Sequence, residues 1–568
     1  MTKTRTPSAV DAVAEAHARA LIERSPALRV ELGVPGDPHA LDDYSPAAAQ
    51  ELDELNAATL ARLDAAEAEA GAGLDDVDRV TLDAMRERLG VERELHAAGL
   101  SAGALNVIHS PVQNIRDLFD LVPTATAQDW ADSAGKLRSV PQALAGYREA
   151  LTARLDAGRA PAIRQVTAVV DQARAAGEDG GHFDRFIAGA ARADGGTGVS
   201  AELAEQLRAA AVQAKDAYAQ IADFLESEVA SRAVAADAVG REAYALYSRE
   251  FLGAAVDLDE TYAWGLAELA RIDAEQQELA AELYGPGTGV REAIDRLEAD
   301  PDYRIEGLDG LRSWMQAKAD DAIERLAGSH FDIPDRLRTI ECMVLPEGTG
   351  GIYYTGPTED FSRPGRMWWS VPAGVESFSA WQELTTVYHE GVPGHHLQVG
   401  EAVWRTDTLN TWRRSLCWVS GHGEGWALYA ERLMADLGFL DDPGFRMGML
   451  DSQRLRAARV VVDLGVHLGL EAPAELGGGT WDAQQAWEFL TANVAMDRSF
   501  LAFELDRYLG WPGQAPSYKI GQRLWEEIRD GARAAAQDRG EEFDLKAFHS
   551  RALALGSVGL DTLRRALS

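Results

Sequence analysis

The chain has 568 residues, and its 91 acidic against 55 basic side chains give a formal charge of −36. With 46% hydrophobic and 26% charged residues it has a globular composition and ample material for a core, while the acidity argues against a protein built to grip nucleic acid or an anionic membrane surface. Two cysteines, Cys342 and Cys417, permit one disulfide at most, which disfavours a secreted, disulfide-stapled architecture.

Residues 1–26 contain no apolar run followed by a small-residue cleavage site. No window reaches about 18 uninterrupted apolar residues. A cytoplasmic protein without a membrane segment is therefore expected. Up to about residue 330 the chain reads as helix after helix. Segments 9–25, 45–70, 75–100, 124–155, 199–233, 240–255 and 258–284 are rich in Ala, Leu, Glu and Arg, with apolar positions three and four apart. Stretches rich in Gly and Pro at 33–37, 177–181, 195–198 and 285–289 separate them. The composition then shifts. Residues 338–344 alternate and include β-branched side chains, which predicts a strand, and 352–355 and 367–371 predict two more. Helices resume at 380–390, 412–437, 443–470, 482–492, 496–509, 517–537 and 543–556. This pattern divides the chain into a helical lobe, 1–330, and a lobe of 331–568 with a small sheet, the two packed as one unit. Eleven of the 14 Trp lie from Trp368 onward, which points to a denser core or a binding cleft there.

Five of the 12 histidines, His389, His395, His396, His422 and His467, fall within 79 residues. The segment from His389 reads H-E-G-V-P-G-H-H. It is similar to the zinc-protease pattern H-E-x-x-H, in which two His one helical turn apart hold zinc and the Glu activates water. The spacing differs. On a regular helix an i+6 residue lies about 120° round and about 9 Å along, and an i+7 residue about 10.5 Å along. Two imidazoles at about 2.0–2.1 Å from one zinc cannot be so far apart. Pro393 would clash with the carbonyl of His389, however, and Gly391 and Gly394 allow unusual backbone angles. A two-residue bulge over 391–394 would bring His395 to the effective i+4 place. His389 and His395 are thus the expected ligands, with His396 the alternative to His395 or a group facing the cleft. Glu424, near the start of a helix 29 residues after His395, is the expected third ligand. Glu431, seven residues on, lies on the same face and is placed to orient a ligand His.

These pieces together resemble the bacterial family DUF885, placed among the zincin-like metallopeptidases. Its H-E-x-x-P-G-H centre matches His389 to His395, and its E-G-W-A-L-Y-x-E helix matches Glu424 to Glu431. Further matches are S-R-P-G from Ser362, D-R-Y from Asp506, P-G-Q from Pro512 and Y-K-I-G from Tyr518. The resemblance covers roughly the whole chain and implies a mainly α, multi-helical zincin-like metallopeptidase fold with a small β-sheet beside the active-site helix.

The expected chemistry is zinc-dependent hydrolysis of a peptide or small amide, with Glu390 as general base and another divalent metal as an alternative ion. A donor for the developing oxyanion is sought in Tyr518, or in His467 oriented by Asp463 four residues earlier. Arg363, Arg366 and Arg507 are candidate clamps for a substrate carboxylate. Strand 352–355, with Tyr353 and Tyr354 facing opposite sides, is a candidate edge for an extended peptide. Two other readings stay open: a metal enzyme acting on a small-molecule amide or C–N bond, and a non-catalytic helical binding protein on a zincin-derived scaffold.

Overall fold

Helix starts in the N-terminal half are set by short polar side chains that satisfy otherwise orphaned backbone N–H groups. Ser8 and Asp11 form a capping box ahead of helix Ala9–Arg24, and Asp75 with Asp78 does the same for Asp76–Ala97. Ser45 caps Pro46–Ala70, and Thr126 caps Ala127–Asp156. The computed structural model, which describes residues 5–346 and 351–568, is 68% helix and 5% strand. The mainly helical expectation and its small sheet therefore hold.

Several helices go beyond those expected, among them Ile163–Gly177, Val290–Ala299, Leu308–Leu326 and His395–Trp404. The helix expected over 412–437 is interrupted. A π-turn, Trp412–Leu416, gives way to extended backbone at Cys417 and Val419 before helix Ser420–Asp436 begins. The break turns the Trp418 ring outward, half exposed.

The main core runs from Val10 to Leu567 and draws on both halves of the chain. A second core lies within residues 105–229, where helices Ala127–Asp156, Ile163–Gly177 and Ala201–Phe224 meet around Trp130, Tyr147 and Tyr218. The tryptophans of the C-terminal half are mostly core: Trp381, Trp426 and Trp525 are fully buried, and the rings of Trp426 and Trp525 lie 5.0 Å apart.

Strands β1 (Arg304–Glu306) and β5 (Ser377–Ser379) pair antiparallel. The larger sheet has the order β2 (Ile340–Pro346), β4 (Gly365–Val371), β3 (Ile352–Thr355). Strands β2 and β4 run parallel, and β3 is antiparallel to β4. β4 alternates buried and half-buried residues, with Met367, Trp369 and Val371 facing the core. Its Trp369 Nε1 donates to Glu383 on helix Ala380–Glu390 at 2.8 Å, which pins the sheet to the helix that carries His389 and Glu390.

Candidate metal centre

Helix Ala380–Glu390 ends where the motif turns glycine-rich, and helix His395–Trp404 starts after four intervening residues. The chain thus breaks between two helices rather than bulging within one. Gly391 N–H still bonds Val387, whereas Gly394 N–H reaches back six residues to the Tyr388 carbonyl at 3.1 Å. A Cβ at Gly394 would sit 1.9 Å from the His389 carbonyl oxygen, so the fold requires glycine there. Trp426 Nε1 donates to the Pro393 carbonyl at 2.8 Å and ties the break to the helix bearing Glu424.

The break brings three side chains together. Ligand atoms of His389, His395 and Glu424 all lie within 4.8 Å of one another. The Nε2 atoms of His389 and His395 stand 3.3 and 3.5 Å from Glu424 Oε2, with the two rings nearly perpendicular. Ligands at 2.0–2.1 Å from a tetrahedral zinc are roughly 3.3 Å apart, so the donor set fits that ion. His389 Nδ1 bonds Glu431 Oε1 at 2.8 Å, and the second Glu431 oxygen accepts from Thr385 Oγ1 at 2.8 Å. Burial opposes charge on both partners, yet the bonds to Glu424 and Glu431 hold His389 up to about 10. The same burial would raise Glu424, but His395 and His389 hold it well below the usual carboxylate range. Glu390 is buried beside the cluster with Oε2 unbonded among the described residues, and burial pushes its carboxyl up against the pull of His389 and His395.

The remaining expected residues divide. Tyr518 stands by the cluster: burial, then the charge of Glu424, pushes its hydroxyl up to about 12. His396 is no ligand here, because Nδ1 bonds the Tyr354 hydroxyl and Nε2 the Leu337 carbonyl, each at 3.0 Å. Tyr354 is fixed by that bond, while Tyr353 is half exposed and stacks on Trp368. β3 pairs only with β4 among the described residues, so its other edge is open.

His467 is locked in the core by Tyr508 O at 2.9 Å and by stacking on Tyr244. Asp463 does not hold it as expected; that carboxylate accepts from the Tyr244 hydroxyl and the Gly513 N–H instead. The three candidate clamps are already engaged. Arg363 donates to the carbonyls of Gly356 and Pro364, Arg366 to Glu341 in the register-paired strand, and Arg507 to Glu504 and Gln514.

Two residues at the site escape sequence reading. Arg456, on helix Pro443–Leu468, places its charge where it acts on Glu390, Glu431 and Tyr518, and no local motif in the sequence marks it. Trp418 lies with its ring centre 6.0 Å from that of His395. It lines a cavity of about 310 Å³ that reaches Glu424.

The profile of the family described as bacterial proteins of unknown function, DUF885, matches residues 26–567. A crystal structure described as a putative lipoprotein from Colwellia psychrerythraea superposes with a TM-score of 0.81 at 23% identity, covering 98% of each chain. A second, described as a putative lipoprotein of unknown function from Shewanella oneidensis, gives 0.72 at 16% identity and covers 98% of this chain and 99% of its own. Both share the fold. No curated protein matches the chain. The description of these two structures overturns the cytoplasmic placement expected from the sequence, although no helix among the described residues is long and apolar enough to cross a membrane. The chain belongs to the DUF885 family.

Proposed function

We propose that this DUF885 protein is a metal-dependent hydrolase of peptide or small amide bonds, with zinc held by His389, His395 and Glu424. The observation that carries the reading is the convergence of three ligand atoms from two helices and a third, beside a buried carboxylate with a free oxygen. A bound Zn²⁺ would polarise the substrate carbonyl and lower the pKa of water. Glu390 takes the proton of the attacking water and returns it to the leaving nitrogen, a role suited to a carboxyl whose pKa burial has raised. Glu431 orients His389 through Nδ1 and keeps Nε2 turned toward Glu424. Tyr518, which keeps its proton near neutral pH, donates to the developing oxyanion. The cavity of about 310 Å³ favours a short peptide or small amide over a long extended chain.

The test is a Glu390→Gln variant assayed against a library of short peptides. The expected result is unchanged zinc content with turnover lowered by about 10²–10⁴-fold. Full turnover in this variant removes Glu390 as base, and a wild-type protein that cleaves no peptide or amide overturns the hydrolase reading.

A further inference from the structure

The cavity that reaches Glu424 extends toward the N-terminal helices, where Arg88, Glu92 and Glu250 line it together with the buried His17. Arg88 is fully engaged. Its guanidinium grips both Glu87 oxygens and donates to the carbonyls of Arg249 and Glu250. The nearby Arg249 is likewise taken, by Glu94 at 2.9 Å. Glu92 lines the cavity, is exposed, and among the described residues accepts only from Asn56 Nδ2, at 2.8 Å. Glu250 is partly buried, and no group among the described residues donates a hydrogen bond to its carboxylate. Burial pushes it up to about 7, against the pull of Arg88 and with the push of Glu92. Burial raises Glu92 as well. Two acids therefore line one cavity with Arg88, already bound to Glu87, as their shared countercharge, so their charge is only partly balanced until a cation enters.

The walls suit the same ligand. Trp418, Phe251 and Trp511 line the cavity; the rings of Phe251 and Trp511 are perpendicular with centroids 5.6 Å apart, and Trp511 stacks on His109. Aromatic faces attract an ammonium through the ring quadrupole, most strongly where water is excluded. Glu424 itself lines this cavity and Trp418 packs 6.0 Å from the His395 ring, so a molecule seated here reaches the metal cluster with its other end.

We propose that this cavity seats a positively charged amine of the substrate, held by the carboxylates of Glu92 and Glu250 against the aromatic wall of Trp418, Phe251 and Trp511. The assignment rests on the hydrolase reading and narrows it: the substrate carries an ammonium close to the bond that is cut, as a short peptide with a free N-terminus does. A substrate whose amine is acylated leaves both acids unpaired and is disfavoured.

The experiment compares 2-phenylethylammonium with the neutral 2-phenylethanol by calorimetry on the zinc-loaded full chain, in wild type and in Glu92→Gln and Glu250→Gln variants of verified fold and zinc content. Charge-assisted hydrogen bonds to the two acids lead to a preference of at least about tenfold for the ammonium in wild type, falling to near parity in the variants. Equal binding of both probes, absence of ammonium binding, or a preference untouched in both variants overturns the proposal. Should one variant fail to fold, the other carries the comparison. Cleavage of Leu-Gly-Gly against its N-acetyl form separates the two readings. Ammonium binding without cleavage of either peptide sinks the hydrolase reading and leaves the amine site standing. Cleavage of both at equal rates without ammonium binding does the reverse.

Discussion

Glu431 uses both oxygens inside the protein, one on His389 Nδ1 and one on Thr385 Oγ1. Removing its charge while keeping its shape should leave the fold and loosen the ligand. A Glu431→Gln variant is expected to bind zinc about 10–100-fold more weakly than wild type in chelator competition. Undiminished affinity would mean that Glu431 does not set the His389 ring. Glu250 gives a prediction of opposite kind. Its folded value of about 7 lies above the ordinary carboxylate range, so the group favours the folded state at low pH and loses that contribution as pH rises through 7. The stability of Glu250→Gln relative to wild type, from urea denaturation, should therefore increase between pH 5 and pH 9, on the order of 2 kcal/mol. An equal difference at both pH values would show that Glu250 meets a countercharge in solution.

The helices Ser420–Asp436 and Ser517–Asp538 carry Glu424 and Tyr518, and they approach backbone to backbone. A Cβ at Gly521 would stand 2.1 Å from the Gly421 carbonyl oxygen, and one at Gly425 would stand 2.4 Å from the Gly521 carbonyl carbon. Neither neighbour is a side chain that can swing aside. Gly521→Ala should therefore cost about 3 kcal/mol or more and lower the thermal midpoint by several degrees, with weaker zinc binding as the pair separates. A midpoint and zinc affinity equal to wild type would show that the close approach is not needed. The elements were legible in proportion to how local their causes are. Long Ala- and Glu-rich helices with Ser, Thr or Asp caps declare themselves, as Ala9–Arg24 and Ala127–Asp156 do. Helix His395–Trp404 was hidden because it starts directly after a Gly-Val-Pro-Gly stretch that reads as a break. Two of the three proposed ligands, His389 and His395, flank the glycine break of one short motif, whereas Glu424 lies 29 residues further on, in helix Ser420–Asp436. The choice of His395 over His396 depends on Tyr354 and Leu337, which lie more than 40 residues away. The pairings that disarm Arg363, Arg366 and Arg507 are likewise made by the fold, and Arg366 meets Glu341 only because β2 and β4 are in register.

At the scale of the whole molecule, the charge of −36 takes on a direction. With the candidate arginine clamps engaged and Glu92 and Glu250 lining the cavity, the global field and the local site would both favour the proposed cationic substrate. The rate constant kcat/KM for a peptide with a free amine should fall as salt is added, while that for its acetylated form changes little. Parallel salt responses would show that the field plays no part in recognition. The N-terminal half is not a mere scaffold on this account, because helices Asp76–Ala97 and Arg241–Leu252 supply Glu92 and Glu250 to a site whose metal ligands all come from the C-terminal half. That joint site depends first on the metal cluster being real. The most direct measurement is zinc content of purified, metal-replete wild type beside His395→Ala and His396→Ala. One zinc per chain in wild type and in His396→Ala, with loss in His395→Ala, is the predicted result. Wild-type protein without zinc, or zinc kept in His395→Ala and lost in His396→Ala, would contradict it.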